Sequence, residues 1–469
     1  MVSLTLAACS SDDDVIVDPN STDGTPLTAG SADFSKYVAL GDSFAAGFSD
    51  NALFIAGQNN SYPNILATEF AKVGGGAFVI PYMKDNIGGF ASGGNQIPQF
   101  GPRLWFNSTT STPTPVSGVS TTEISAQVTG PFNNFGVPGA KATQLDLVGF
   151  GSSLGNPYFT RMASSPAATV VDDAIATNPT FFSLWIGGND VLGYATSGGV
   201  SSSPITNPAI FETAYNGLIT KLTAGNRKGV ICNLPYVSAL PYFTTVPFNP
   251  VPLDAQTAGL LNSGYTSYNN GLLFAQSNGL LTAAEVTQRT ITFAAGTSNK
   301  LVIVDEYLTN LSGFGIPSYR QATNEDLIIL PARAFIGTTV GGNPLQINGV
   351  SVPLADNWVL SKREIDEVRI ATDAYNVTIQ NAATANNLAF VDAKAIMTQL
   401  STMGIVQNGY TLTSAYVTGS TFSLDGIHPS PRGYALIANK FMEAINTTYG
   451  SNFKGVNLGQ FQILYPSIL

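Results

Sequence analysis

The stretch "KYVALGDSFAAG" at residues 36–47 decides the fold. A short apolar run leads into Gly41 and Asp42, and residues compatible with a helix follow from Ser43. A strand that turns tightly into a helix is the opening of an α/β unit, and such folds keep their sites at the carboxyl ends of parallel strands. The stretch therefore predicts a parallel sheet with the Ser43 hydroxyl at its carboxyl edge and the Ser43 N–H at a helix N-terminus, free to bind an anion.

The rest of the chain alternates short apolar runs with longer helical patterns. The strand candidates are apolar and often β-branched, as expected of parallel strands covered on both faces; they are 77–81, 180–187, 229–234, 300–305 and 388–393. Helical patterns occur at 62–73, 140–148, 208–224, 361–385 and 431–447. This alternation predicts an α/β sandwich around a parallel sheet.

Long segments interrupt this pattern and do not fit a minimal α/β domain. They are rich in Gly, Ser, Thr, Pro and aromatic residues and lie at about 84–130, 237–299 and 310–358. Insertions of this length usually carry function or are disordered. We therefore expect one main domain over 34–450 with three insertions, followed by a C-terminal extension at 451–469.

Composition excludes several classes of protein. Charged residues make up 11% of the chain, against a typical value of about 25%, and the net charge is −10. Without a Lys/Arg cluster there is no electrostatic footprint for nucleic acid. The two cysteines and the single histidine exclude zinc sites with several His ligands or many Cys ligands. Cys232 lies in an apolar run and is predicted to be a buried thiol.

The N-terminus carries a lipidation pattern. Residues 3–14 read "SLTLAACSSDDD", which resembles the lipobox of bacterial lipoproteins and, after the cysteine, the export tail of Bacteroidetes surface lipoproteins. The pattern lacks the basic residues of a complete signal. It makes 1–9 a signal remnant ending at the lipidated Cys9, and 10–33 a flexible polar tether. We therefore expect a protein anchored by its acyl chains in the bacterial outer membrane, facing outward, with no other membrane contact.

Four short patches together supply the parts of a serine hydrolase. They contribute Ser43; Gly136, in "FNNFGVPGAKATQL" at 132–145; Asn189, in "SLWIGGNDVL" at 183–192; and the pair Asp425 and His428, in "LDGIHPSPRG" at 424–433. A serine nucleophile needs a base, and the base needs an orienting carboxylate. The oxyanion that forms needs preorganised donors. Since His428 is the only histidine, it is the one imidazole base this chain offers.

In their order along the chain the four patches resemble the blocks of the SGNH (GDSL) hydrolase family, with Phe44 where the family name has leucine. The resemblance implies an α/β/α sandwich around a five-stranded, flavodoxin-like parallel sheet. It implies that Ser43 attacks an ester carbonyl, His428 takes the proton and Asp425 orients the imidazole. Ser43 N–H, Gly136 N–H and the Asn189 side chain would hold the oxyanion. It implies no metal and no organic cofactor.

A second motif competes with Ser43 for the role of nucleophile. "GSSLG" at 151–155 fits the G-x-S-x-G pattern of other serine hydrolases. A nucleophile elbow needs a strand before the serine and a helix after it. The residues before Ser153 look helical and those after it look like a loop, so the pattern favours Ser43.

The substrate class stays open at this level. The first hypothesis is a carboxylic ester hydrolase of lipase or esterase type acting on a small-molecule or lipid ester. Its acyl pocket would be walled by four aromatic residues, which could equally pack a small core within their insertion: Tyr236, Tyr242, Phe243 and Phe248. The alternatives are an O-acetyl esterase acting on polysaccharide, a transferase in which an alcohol replaces water, and a catalytically silent surface binding protein.

Overall fold

Five parallel strands form the central sheet of the computed structural model, which describes residues 24–200 and 203–469. They are β1 (Tyr37–Gly41), β2 (Asn134–Gly136), β3 (Phe181–Trp185), β4 (Lys228–Cys232) and β5 (Ala389–Val391). Their order in the sheet is β5-β4-β3-β1-β2, which is the 2-1-3-4-5 order of flavodoxin-like folds. The predicted fold class is confirmed.

Helices cover both faces of this sheet. As a result, β1 and β3 are buried at every position and neither strand has a solvent-exposed face. The helices that position the site are α1 (Ser43–Ala46), α2 (Tyr62–Ala71), α3 (Asn189–Thr196), α4 (Pro208–Thr223), α5 (Lys362–Ala385) and α6 (Pro431–Tyr449). α2 packs against α6 on one face, and α4 packs against α5 on the other. The remaining α-helices are Ile55–Asn59, Pro157–Thr160, Val170–Ala176, Pro241–Thr244, Ala255–Ser277, Ala283–Arg289 and Ala393–Thr402.

Three of the predicted elements are wrong. Residues 77–81 form no strand, and the edge of the sheet is β2 instead. Val302–Val304 is a strand, but it pairs antiparallel with Tyr319–Gln321 outside the central sheet. Within 140–148 only a short 3-10 turn forms, at Ala142–Gln144. A short apolar run has the same pattern whichever core buries it, so periodicity alone could not assign these runs to the sheet.

The later insertions form one body rather than two. Their side chains build a second hydrophobic core, separate from that of the sheet, whose members include Val251, Leu261, Ile303, Ile328 and Leu354. The predicted break between 299 and 310 falls inside this core, since strand Val302–Val304 belongs to it. The insertion at 84–130 contains two small hairpins, Ala91–Ser92 with Asn95–Gln96 and Leu104–Asn107 with Thr112–Pro115.

Both ends of the described chain lie against the main domain. The Ser31 N–H donates to the Tyr449 carbonyl at 2.8 Å, and Asn452 bonds to Thr28 and Pro26. The predicted tether therefore does not extend to residue 33, because its last part is hydrogen-bonded to the end of α6. The C-terminal extension is also docked, with the Tyr465 hydroxyl 3.1 Å from the Ala56 carbonyl.

Two further predictions concern the cysteines and the membrane. Cys232 is a buried free thiol, as predicted. Cys9 and residues 10–23 lie outside the described residues, so their predicted anchor and tether stay predictions. Within 24–200 and 203–469, no helix is both long and apolar enough to cross a bilayer.

Candidate active site

Three loops that carry site residues leave adjacent strands at the same level of the sheet. The register pairs Gly41, at the end of β1, with Gly136 on one side and Trp185 on the other. Because the strands are parallel, the loops that begin at these residues meet at the carboxyl edge. They bring Ser43, the 137–140 segment and Asn189 together from positions far apart in the sequence.

Ser43 begins a one-turn helix whose start is tightly constrained. The Asp42 side chain caps it by accepting the Phe44 N–H at 3.0 Å. A Cβ at Gly41 would lie 2.4 Å from the Trp185 carbonyl oxygen, so only glycine fits between the strand and the cap. Burial raises the pKa of Asp42 to about 7. Asp42 therefore shapes the turn that carries Ser43.

Ser43, His428 and Asp425 form one hydrogen-bonded chain. Ser43 Oγ lies 2.8 Å from His428 Nε2, and His428 Nδ1 lies 2.9 Å from Asp425 Oδ2. The carboxylate accepts a hydrogen bond from a protonated Nδ1, which leaves Nε2 without a proton and able to take the serine proton. Ser43 is 6% exposed and His428 is 9% exposed, so water has little access to either bond. The arrangement is that of a nucleophile, a base and an orienting carboxylate.

Asp425 is held in place by four hydrogen bonds. Its Oδ1 accepts the N–H groups of Ile427 and His428, each at 2.8 Å. Its Oδ2 accepts the Asn51 N–H at 2.9 Å in addition to the imidazole. Although burial alone would raise the pKa of this carboxyl, the imidazole and these bonds hold the pKa below its ordinary value. The carboxylate is therefore ionised and fixed in orientation.

A second buried carboxyl, Asp50, stands beside this network. Its Oδ1 accepts the Leu424 N–H at 2.8 Å, and its own N–H donates to Ser423 Oγ at 3.0 Å. Its Oδ2 is buried and has no hydrogen-bond partner among the described residues. Burial raises the pKa of Asp50 to about 7, and the nearby charge of Asp425 adds to the shift. The sequence signal for this residue is "FSDN" at 48–51, directly after the nucleophile block, and the local pattern assigns it no role.

Aromatic rings flank the imidazole. The centroid of the Phe48 ring lies 4.6 Å from that of His428, and the centroid of the Phe44 ring lies 5.4 Å away on a tilted plane. Phe44 in turn packs against Trp185 at 4.8 Å. These contacts hold the imidazole against Ser43 and shield it from water.

The structure corrects one of the three predicted oxyanion donors. The Gly136 N–H donates to Asn134 Oδ1 at 2.8 Å and is already engaged. A Cβ at Gly136 would lie 2.2 Å from the Ala46 nitrogen, so this glycine serves close packing between β2 and α1. In the part of the chain that the structure describes, the Gly139 N–H and the Ser43 N–H donate no hydrogen bond. Gly139, three residues further along the same patch, was the better candidate.

Asn189 lies at the first turn of α3, as its place after β3 predicted. Its Nδ2 donates to the Ala140 carbonyl at 3.0 Å, which ties it to the segment that contains Gly139. One N–H of the amide remains beyond this bond. The next residue, Asp190, accepts the Ala142 N–H at 2.8 Å and so has a structural role.

The predicted aromatic wall is largely wrong. The Tyr236 hydroxyl donates to Asp373 at 2.6 Å, Phe243 is buried in the main core, and Phe248 packs on the second core. Only Tyr242 lies beside the triad, where its N–H donates to the Gly426 carbonyl at 2.9 Å. The segment is apolar because its side chains pack into two separate hydrophobic cores. Composition alone could not distinguish residues of these cores from residues that line a substrate pocket.

A cleft lined by both polar and apolar residues opens on the Asp425 side of the triad instead. Its volume is about 540 Å³, and its lining includes Asn51, Tyr242, Arg333, Tyr416 and Asp425. Two further grooves, of about 560 and 630 Å³, also include Arg333 in their linings. Arg333 is exposed and forms no ion pair or hydrogen bond with any residue in the described ranges. The first insertion, the later insertion and the Asp425 loop all contribute to this cleft.

The rival serine lies apart from these elements. Ser153 is exposed in a turn, with no strand before it. The strand, turn and helix that a nucleophile elbow requires occur at Ser43 instead. The structure thus favours Ser43 on the same criterion that was applied to the sequence.

The flavodoxin-like sheet, with a serine, a histidine and an aspartate at its carboxyl edge, defines a class of serine hydrolase. A model of the GDSL-like lipase/acylhydrolase family matches residues 37–290, which is more than half of the chain. The chain belongs to this family and is a hydrolase of ester bonds. The match includes Ser43, Gly139 and Asn189 and ends before Asp425 and His428.

Comparisons with individual proteins add less. No curated protein sequence matches the chain significantly. An acetylxylan esterase from Geobacillus stearothermophilus aligns at 11% identity over 89% of this chain and 96% of its own, with a TM-score of 0.34. An extracellular lipase from Streptomyces rimosus aligns at 12% identity over 88% of this chain and 98% of its own, with a TM-score of 0.31. Similarity at this level carries no argument about substrate.

Proposed function

We propose that this chain cleaves carboxylic esters through a covalent acyl-enzyme formed on Ser43. The observation that carries the proposal is the pair of short hydrogen bonds, 2.8 Å from Ser43 Oγ to His428 Nε2 and 2.9 Å from His428 Nδ1 to Asp425 Oδ2. A serine hydroxyl is a weak nucleophile until a base takes its proton, and this geometry supplies that base.

The reaction then follows two half-steps. Ser43 Oγ attacks the ester carbonyl while His428 takes its proton, and His428 returns the proton to the departing alcohol. Water, activated by the same imidazole, cleaves the acyl-enzyme and releases the acid. The N–H groups of Ser43 and Gly139, with the Asn189 amide, stabilise the oxyanion in both half-steps.

Labelling by a fluorophosphonate probe tests this nucleophile and also the alternative of a silent binding protein. The wild type and Ser153→Ala should both be labelled and should hydrolyse p-nitrophenyl acetate. Ser43→Ala should lose labelling and most of its turnover, by about 10³-fold or more. Loss of labelling in Ser153→Ala with retention in Ser43→Ala would overturn the assignment, and an unlabelled wild type would support a silent binding protein.

Among substrates, an O-acetylated polysaccharide is a specific second candidate. The cleft beside Asp425 combines the rings of Tyr242 and Tyr416 with hydroxyls of Ser111 and Thr112. The adjoining groove is lined mostly by Ser and Thr. Aromatic faces and hydroxyls suit a chain of sugars better than an alkyl chain. An apolar cavity of about 60 Å³ beside Phe44 is smaller than this cleft.

Arg333 indicates which kind of acetylated polysaccharide would bind. A guanidinium without a protein partner binds a carboxylate in a bidentate manner. We therefore infer a preference for an acetylated glycan that carries uronic acid residues. Acetate release from acetylated acidic and neutral glycans should differ in the wild type, and Arg333→Gln should raise KM for the acidic glycan alone. Arg369→Gln serves as a surface control. A preference for p-nitrophenyl esters of long acyl chains would instead support a lipase.

We further propose that Cys9 carries an acyl anchor in the bacterial outer membrane. The support is the sequence "LAAC" followed by "SSDDD" at 6–14. The expected results are incorporation of labelled palmitate into the full gene product, its loss in Cys9→Ser, and accumulation of the uncleaved precursor in the presence of globomycin. A wild-type product without label would contradict the anchor.

A further inference from the structure

Three carboxylates meet at a place that the triad does not use. Glu306, Asp356 and Glu364 each bring one carboxylate oxygen within 4.8 Å of the others. Glu306 follows the insertion strand Val302–Val304, Asp356 begins a 3-10 turn, and Glu364 lies in the first turn of α5. The cluster therefore joins the later insertion to the main domain. Three like charges at this distance repel one another unless a cation or protons compensate them.

Glu364 is the buried member of the cluster and is only half satisfied. Its side chain is 1% exposed, and its Oε2 accepts the Ser361 N–H at 2.6 Å. Its Oε1 is buried and has no hydrogen-bond partner among the described residues. A buried acceptor left unpaired costs free energy, and more so when it is charged. Glu364 is therefore an acid whose second oxygen, Oε1, has no hydrogen-bond donor among the described residues.

Gly199 packs closely against this oxygen. A Cβ at Gly199 would lie only 2.1 Å from Glu364 Oε1, and its φ of +79° also favours glycine. The loop that contains Gly199 follows α3, the helix that begins at Asn189. The cluster thus touches the elements that carry one of the candidate oxyanion donors.

The basic side chains near the cluster form ion pairs with carboxylates outside it. Lys362 pairs with Glu325 and Asp366, and Arg363 pairs with Glu367. Within the described part of the chain, no ion pair reaches Glu306, Asp356 or Glu364. The cluster therefore contains no basic side chain that could neutralise its carboxylates.

We propose that Glu306, Asp356 and Glu364 bind a calcium ion. All three ligands are carboxylate oxygens, which hard cations prefer, and neither a nitrogen nor a sulfur donor belongs to the cluster. Glu306 is exposed and Asp356 is half-buried, so water completes the six to eight ligands that Ca²⁺ takes. Mg²⁺ requires a stricter octahedral geometry and loses its water reluctantly, so we expect it to bind here more weakly than Ca²⁺. The ion fixes the later insertion against α5 and the loop after α3.

Thermal unfolding of the full chain, stripped with EDTA and dialysed, tests the site. Adding CaCl₂ should raise the Tm of the wild type by at least about 2 °C, since a ligand that binds only the folded state stabilises it. MgCl₂ should give a smaller shift. The double variant Glu306→Gln/Asp356→Asn should lose the calcium response, whereas Glu325→Gln, a nearby exposed acid outside the cluster, should keep it.

Three outcomes would overturn the proposal, and the third comes from Glu364→Gln. The first is a wild-type Tm that does not change with CaCl₂. The second is a double variant that responds as strongly as the wild type. Glu364→Gln separates calcium from its rival, a proton shared by the carboxylates. An amide replaces a protonated acid without loss, so a Glu364→Gln protein as stable as the calcium-loaded wild type would favour the proton. Because unfolding is the readout, this result does not depend on the proposed esterase activity.

Discussion

The Asn51 N–H donates to Asp425 Oδ2 at 2.9 Å, and that oxygen also faces the imidazole of His428. These two residues lie 374 positions apart, yet the turn after the nucleophile helix holds the carboxylate that orients the base. Asp50 and Asn51 have φ of 49° and 66°, a left-handed conformation that Asp and Asn tolerate better than most residues. The first and last site loops therefore form one unit.

The Asp425 carboxylate is expected to be needed for turnover more than for folding. Asp425→Asn keeps the shape, but its single oxygen can replace only one of the two carboxylate oxygens. With that oxygen at the Oδ1 position, where it accepts two backbone N–H groups, the amide NH₂ faces Nδ1 and no longer favours the Nδ1 proton. We expect kcat to fall by about 10⁴-fold with Ser43 still present and the fold intact. Turnover of p-nitrophenyl acetate and the Tm measure the two effects. A variant with more than a tenth of the wild-type kcat would contradict a triad.

Asn189 is expected to act mainly on the transition state. Asn189→Ala removes an amide aimed at the oxyanion, so kcat should fall by about 10²- to 10³-fold with little change in KM. Since Asn189 also donates to Ala140, the Tm of the variant serves as the control for a structural loss. A rise in KM alone would mean that Asn189 binds substrate without stabilising the oxyanion.

The close packing at Gly136 can be tested by comparing Gly136→Ala with the same substitution at a glycine that has open space around it. In Gly136→Ala the new Cβ would clash with the Ala46 nitrogen at 2.2 Å, so we expect the free energy of unfolding to fall by more than about 2 kcal/mol. Gly259, within helix Ala255–Ser277, has no atom within 4 Å of an added Cβ. Gly259→Ala should be stabilising by about 0.5–1 kcal/mol. Equal stabilities in urea unfolding would contradict the close approach.

Asp50 predicts a particular dependence of stability on pH. Its pKa is about 7 when folded, above the ordinary value of 3.8, so the folded protein binds this proton more tightly. The stabilisation is full below about pH 4 and is lost as the pH rises through 7, with a slope of up to about 1.4 kcal/mol per unit.

Asp50→Asn replaces the neutral acid by a neutral amide and should flatten that slope. The variant should match the wild type near pH 4 and exceed its stability at pH 8, as measured by urea unfolding. Asp366→Asn, whose side chain is 44% exposed, provides the control and should leave the slope unchanged. A variant less stable than the wild type at pH 8 would mean that Asp50 works as a charged group.

The sequence by itself determined four of the five strands of the sheet and singled out the candidate nucleophile and base. Apolar runs at 36–40, 180–187, 229–234 and 388–393 became strands because both faces of each had to be buried. A single histidine left no choice of base, and Gly41 before Asp42 required a turn that points a serine at the strand end. These features are local, or they follow from the count of a residue type.

Only the tertiary structure decided which glycine keeps a free N–H, which aromatic residues lie near the triad, and that Asp50 and Asn51 support Asp425. Each of these depends on contacts between segments far apart in the chain, and a local pattern contains no information about them. Gly136 and Gly139 look alike in the sequence, but the Asn134 side chain engages only the first. Tyr242 and Phe243 are neighbours, yet one lines the cleft and the other is buried in the core.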